Sequence, residues 1–156
     1  MNLQGLSAHV RQFAEHVLAA FPEWASTLEA PVLGDLAGDC SFSLAPPAYP
    51  SHRLYIVTRG NSVEVRYDDG QPPGPAEKLF VELDRNPAEV AESVIAFFRD
   101  VVSGRVLVVR ERLGAFGHRL RRDRESLARF GSVSEVEASG RGKFVAVYSW
   151  TDPFHR

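Results

Sequence analysis

Seven arginines, Arg110, Arg112, Arg119, Arg121, Arg122, Arg124 and Arg129, fall within about twenty residues of this chain. A guanidinium offers a planar fork of donors that pairs bidentately with carboxylates or phosphates. Such a cluster suits an acidic protein surface or a nucleic-acid backbone, and it equally suits an ordinary solvated face. If residues 118–123 are extended, Arg119 and Arg121 share a face with Asp123. If they are helical, Arg121, Arg122, Arg124 and Arg129 spread around the cylinder, and Asp123 and Glu125 partly neutralise them.

Other residue types that could do chemistry do not assemble into a motif. The five histidines are His9, His16, His52, His118 and His155. His9 and His16 lie seven apart on one helical face, but no HExxH or comparable pairing accompanies them, so no metal site is indicated. The single cysteine, Cys40, alternates with Phe42 and Leu44 on an apparent buried face, where a thiol behaves as a small apolar group. There is no GxSxG elbow and no GxxxxGK[ST] phosphate loop. Gly114-Ala115-Phe116-Gly117 and Gly140-Arg141-Gly142 read as turns, and Asp68-Asp69 lies in a Gly/Pro loop. The chain is read as non-catalytic, with no catalytic residues, no metal and no cofactor.

Hydropathy patterning places these residues on elements. Leu6, Val10, Phe13, Ala14, Val17 and Phe21 form one stripe of an amphipathic helix over residues 7–21, with Ser7 as its N-cap and Pro22 ending it. A short turn runs on through Trp24 to Leu28. Alternation predicts a strand over 40–44, and a hairpin formed by strands at 54–58 and 63–67 around Arg59-Gly60-Asn61. In the second of these, Val63, Val65 and Tyr67 face one way while Glu64 and Arg66 face the other. Residues 79–83 read as a further short strand. Asn86 suits an N-cap and Pro87 the first helical position of a second helix, whose residues Val90 to Val102 are apolar around more than half the circumference. That width suggests a helix packed centrally on a sheet. Gly104 makes a C-terminal cap, followed by a strand over 105–112. Residues 118–130 are open between helix and strand, and strands at 133–138 and 143–150 close the chain. The expectation is one α+β domain over 1–156, with a mainly antiparallel sheet of about five to seven strands, an N-terminal helix and a central helix packed on it.

Composition sets outer bounds. A chain of 156 residues, 44% hydrophobic and 24% charged, has the make-up of an ordinary globular domain. One cysteine cannot form an internal disulfide, which points away from an extracellular disulfide scaffold. No basic region followed by an apolar run opens the chain, and the apolar stretch 90–102 is too short and too charged to span a bilayer. A soluble, cytoplasmic protein is expected, with no membrane partner and an oligomeric state left open. The net charge of −2 is uneven: residues 1–104 carry 7 basic and 14 acidic groups, residues 105–156 carry 11 and 6. Two halves of one domain can neutralise each other in this way, and a charged partner is the other reading.

Three segments resemble a family of small bacterial immunity proteins, which protect a cell from its own polymorphic or contact-dependent toxins. Ile56-Val57-Thr58-Arg59-Gly60-Asn61-Ser62-Val63-Glu64-Val65 is similar to that family's "isT.gdeVtV" segment. The helix 88–102 running into Gly104-Arg105-Val106-Leu107-Val108-Val109 looks like its central helix and following strand. Ser149-Trp150-Thr151-Asp152 resembles its terminal "SW.G.yD". The chain departs from the pattern at Gln71-Pro72-Pro73-Gly74-Pro75, where an aromatic and His-rich segment is expected, and in lacking the glycine after Trp150. The resemblance implies a non-catalytic protein that binds a cognate toxin domain and covers its active site. Exposed aromatic and arginine residues are the usual anchors of such contacts, which singles out Trp150, Arg110, Arg112, Arg119 and Arg121, with a core position for Trp150 equally open. The alternative is a nucleic-acid-binding or regulatory α+β module using the Arg-rich segment 110–129. The overall isoelectric point near 6.2 and the lack of regular aromatic interleaving among the arginines, where Phe116 stands alone, speak against nucleic acid.

Overall fold

The computed structural model describes residues 3–30, 37–68, 76–113, 122–129, 143–148 and Trp150. The class is α+β. Helix α1 covers Ala8–Ala20 and runs into a 3-10 turn at Pro22–Thr27, and helix α2 covers Pro87–Val102. Five strands, β1 (Leu28–Glu29), β2 (Ser41–Leu44), β3 (Arg53–Arg59), β4 (Ser62–Asp68) and β5 (Ala76–Phe80), form one sheet in sequential order. Three more, β6 (Val106–Leu113), β7 (Arg122–Arg129) and β8 (Lys143–Tyr148), form a second sheet with β6 in the middle. The pairs β1–β2, β2–β3, β6–β7 and β6–β8 are antiparallel. The links β3–β4 and β4–β5 are too short for a parallel crossover, which needs a dozen residues or more.

The contacts divide into two compact units. One is drawn from Met1–Leu44, Leu54–Arg66 and Lys78–Phe97, the other from Ala45–Arg53, Tyr67–Glu77 and Phe98–Arg156.

In the first unit the period-3.6 stripe of α1 is buried: Val10, Phe13, Ala14 and Val17 are each fully covered. Burying a side chain such as Phe13 stabilises by about 1.5–3 kcal/mol, so the stripe alone explains why α1 stays docked. Ser7 occupies the N-cap position with extended backbone, yet its hydroxyl makes no cap bond to the helix. It lies 3.4 Å from His9 Nε2, and the Ser7 N–H is instead donated to the Gly38 carbonyl at 2.9 Å. Phe21 stacks on Trp24 at 4.2 Å, and Trp24 tilts against Phe42 of β2, which ties the end of α1 to the sheet.

The sheet of this unit obeys the period of two. Cys40, Phe42 and Leu44 are buried, as are Leu54, Ile56 and Thr58 on β3 and Val63 and Val65 on β4. The other face is wetter, and there Glu64 lies between Arg59 at 3.3 Å and Arg66 at 3.1 Å. Strand β5 spans Ala76–Phe80 rather than the expected 79–83. The displacement has a local cause. Glu82 sits in the left-handed region at φ 68°, where no strand continues, and its carbonyl accepts the N–H groups of Arg85 and Asn86. The fully buried Leu83 turns inward and donates its N–H to the Asn61 carbonyl at 2.8 Å. The Asn86 carbonyl then accepts the Val90 N–H at 3.0 Å, as an N-cap residue does.

In the second unit the end of α2 has a defined stop. The Gly104 N–H is donated to Val101 O at 3.1 Å and the Arg105 N–H to Asp100 O at 2.9 Å, with Gly104 at φ 75°. This double bond pattern around a left-handed residue is the Schellman motif, and glycine alone adopts it without a Cβ penalty. The side chains reinforce it, because Arg105 reaches back to the buried Asp100 carboxylate at 2.7 Å. The chain re-emerges directly into β6, where Val106, Leu107 and Val108 are buried in succession, so both faces of that stretch are covered. Tyr67 is also buried; its hydroxyl shares a 2.7 Å hydrogen bond with His52 Nδ1, and His52 stacks on Tyr49.

The segment left open between helix and strand is a strand over Arg122–Arg129. The strand expected over 143–150 ends at Tyr148. The turn at 114–117, the strand expected over 133–138, and Arg119 and Arg121 lie outside the described residues.

Candidate functional site

Arg110 and Arg112 lie on β6, the central strand of the second sheet. The register with β7 sets Arg110 opposite Glu125, Glu111 opposite Arg124 and Arg112 opposite Asp123. Residues directly opposite on antiparallel strands share a face with their Cβ atoms roughly 4.5–5.5 Å apart, a spacing at which opposite charges stabilise the pair. Arg110, Arg112 and Arg124 therefore stand opposite acidic residues in a ladder of alternating sign, while Arg122 and Arg129 stand opposite Leu113 and Val106. On its other side, β8 sets Ala146 opposite Arg110 and Lys143 opposite Arg112, with a bulge between Arg110 and Glu111. A nucleic-acid site draws its affinity from uncompensated cations, and three acidic residues interleaved here weigh against that reading of 110–129.

Trp150 takes the core position of the two left open for it. It is 8% exposed, and its ring meets Phe98 edge-on at 5.3 Å. Edge-to-face aromatic pairs contribute beyond their buried area, so its surroundings suffice to explain the residue.

A polar cluster that sequence reasoning did not single out lies in the first unit. Thr58 is fully buried, and its hydroxyl accepts the Cys40 N–H at 2.8 Å while donating to Asp39 Oδ1 at 2.9 Å. The Asp39 carboxylate also accepts the Gly60 N–H at 3.2 Å. Gly60 stands at φ 59° in the β3–β4 turn, so Asp39 and Thr58 together hold that turn. His9 lies on the same turn, with Nε2 3.1 Å from the Gly60 carbonyl. Each group in the cluster has a partner inside the fold, and its work is structural. The only signal in the sequence was a threonine at an inward position of an otherwise apolar alternation.

Cys40 shares that setting. Burial pushes its thiol up to about 12, the Asp39 charge adds to the rise, and the hydrogen bond with Thr58 opposes it. A thiol so placed holds its proton at neutral pH and is a poor nucleophile. His16 is exposed and bonds the Gln12 carbonyl of its own helix at 2.8 Å. Among the described residues no group of three or more His, Cys, Asp or Glu side chains could hold a metal ion, and no helix is long and apolar enough to cross a membrane.

Comparison with protein-family models, with curated proteins and with solved structures finds no match to this chain.

Proposed function

We propose that this chain is a non-catalytic immunity protein that binds a cognate bacterial toxin domain and neutralises it by covering the toxin's active site. The observation that supports this reading is where the resembling segments fall. The "isT.gdeVtV"-like stretch is the β3–turn–β4 hairpin, whose buried threonine and left-handed Gly60 build the turn. The helix-to-strand segment is α2 closing on Gly104 and passing directly into β6. A tryptophan at the third segment's position is covered by Phe98. The hairpin and the helix-to-strand segment thus carry fold-determining contacts, and Trp150 of the third segment packs on Phe98. A protein that acts by occlusion needs a rigid surface more than reactive groups, with its affinity concentrated in a few anchors.

The test is protection. The chain is co-expressed with the toxin domain encoded beside it, and survival is compared with cells carrying the toxin alone. Rescue that tracks a stoichiometric complex in size-exclusion chromatography supports the proposal. Neighbouring genes without a toxin, and no rescue from toxins of nearby loci, would remove it. The same gene context separates this reading from a nucleic-acid-binding or regulatory module in the cytoplasm.

A further inference from the structure

Among the described residues strand β5 ends the five-stranded sheet, and the chain beyond it leaves apolar side chains exposed. Leu79 is 56% and Val81 57% exposed, the most exposed large apolar residues among those described. A strand at a sheet edge offers unpaired N–H and C=O groups to an incoming chain, and natural edges are usually blunted by charge. The charges on this edge are Glu77 and Lys78, and Lys78 Nζ lies 6.0 Å from the Phe80 ring centre. Phe80 itself packs edge-on against Phe97 of α2 at 5.9 Å, which anchors the strand and leaves Leu79 on the opposite side of the alternation. Immediately beside the strand end is an open cavity of about 130 Å³, lined by Phe80, Val81, Glu82, Asn86 and Glu89 among others. Small-molecule sites usually run from about 300 Å³ upward, so this volume suits the head of one side chain.

Charge selects the occupant. Residues 78–93 carry four acidic groups, Glu82, Asp84, Glu89 and Glu92, against Lys78 and Arg85. Helix α2 begins here with about half a positive charge at its N-terminus, which Glu89 in the first turn already offsets. The balance stays negative, so a second copy meeting this surface through its own β5 edge would set like charge against like.

We infer that the β5 edge is a docking surface for an extended, basic segment of a partner protein. The segment adds as a strand, lays an apolar side chain on Leu79 and Val81, and places an arginine or lysine head between Glu82 and Glu89. Main-chain bonds supply affinity in this mode and alternate side-chain pockets supply specificity. The surface belongs to the five-stranded sheet and the arginine ladder to the other sheet, and the inference does not depend on the immunity reading.

The experiment uses the full chain and two labelled synthetic peptides, one of alternating arginine and valine, the other of alternating glutamate and valine, followed by fluorescence anisotropy. The basic peptide should bind saturably and the acidic one should not. Leu79→Lys and Val81→Lys should each weaken binding about tenfold or more. The exposed pair Glu82→Gln with Glu89→Gln should do the same while leaving circular dichroism unchanged, so the test survives if a lysine variant misfolds. Val102→Lys, an exposed apolar site at the C-terminal end of α2, should leave binding as it was. Equal affinity for the two peptides overturns the inference. So does undiminished binding by the glutamine pair, no saturation with either peptide, or a chain dimer that Leu79→Lys dissolves.

Discussion

Arg110 on β6 stands directly opposite Glu125 on β7, and two positions on, Arg112 stands opposite Asp123. The alternation of sign along β6, Arg110-Glu111-Arg112, is answered in reverse along β7 by Asp123-Arg124-Glu125. Over these three positions the register with β7 sets each charge opposite one of the other sign, while on the β8 side Arg112 stands opposite Lys143.

Reversing one rung tests this. Arg110→Glu sets two carboxylates opposite each other and should lower stability by about 0.5–1 kcal/mol, and adding Glu125→Arg should restore most of it. Urea unfolding of the two single variants and the double variant isolates the coupling. Additive losses with no recovery would mean the register carries no pair energy.

The buried Thr58 is worth more per atom. Thr58→Val keeps the shape and removes the hydroxyl, leaving the Cys40 N–H without its acceptor and Asp39 with the Gly60 N–H but not the Thr58 hydroxyl as donor. A buried group left unsatisfied costs about 1–3 kcal/mol, and Thr58→Ser should keep the larger part. Equal denaturation midpoints for the valine variant and the parent would show the cluster to be dispensable.

Cys40 makes stability fall on the alkaline side. The unfolded thiol ionises near 9.0 and burial pushes the folded one up to about 12, so the unfolded chain gives up its proton first. Below pH 9 both states hold the proton and the group contributes no slope. Between 9 and 12 the folded state holds more protons, and stability drops with rising pH, by an order of 4 kcal/mol at the upper end. Cys40→Ala should remove that part of the slope, and a thiol reagent at neutral pH should label the native chain far more slowly than the urea-unfolded one.

Gly104 carries the end of α2 at φ 75°. Gly104→Ala should cost about 1–2 kcal/mol, the penalty of a left-handed residue with a Cβ, and Gly104→Asn should cost less. Thermal unfolding of the two variants gives the ranking; alanine equal to glycine would mean the turn relaxes without strain.

What could be read in advance follows from the range of the forces involved. Helices α1 and α2, the hairpin and the Cys40 face were legible because burial periodicity is a local property of Val10, Phe13 and Val17, or of Phe42, Ile56 and Val65. The end of α2 was legible because a glycine after a long apolar helix leaves little choice. Strand β7 was not, since Arg122 to Arg129 has no apolar period and is extended by pairing with β6. The displacement of β5 was hidden in the φ of Glu82, which no side-chain pattern encodes. Thr58 was hidden in its distant partner, Asp39, nineteen residues away. The arginine ladder depended on a register between strands whose connection carries no periodic signal.

Truncating Trp150 separates two roles, because an anchor for a partner and a core residue lose different things. Covered to 8% exposure and set edge-on to Phe98, it should behave as core. Trp150→Ala should lower stability by about 3–5 kcal/mol through the lost burial and the cavity left behind, and Trp150→Phe by less. Affinity for any partner, measured by calorimetry at a temperature where the variant is still folded, should change little. A variant that keeps its midpoint but loses its partner would place Trp150 in an interface, and the packing against Phe98 would then describe the free chain alone.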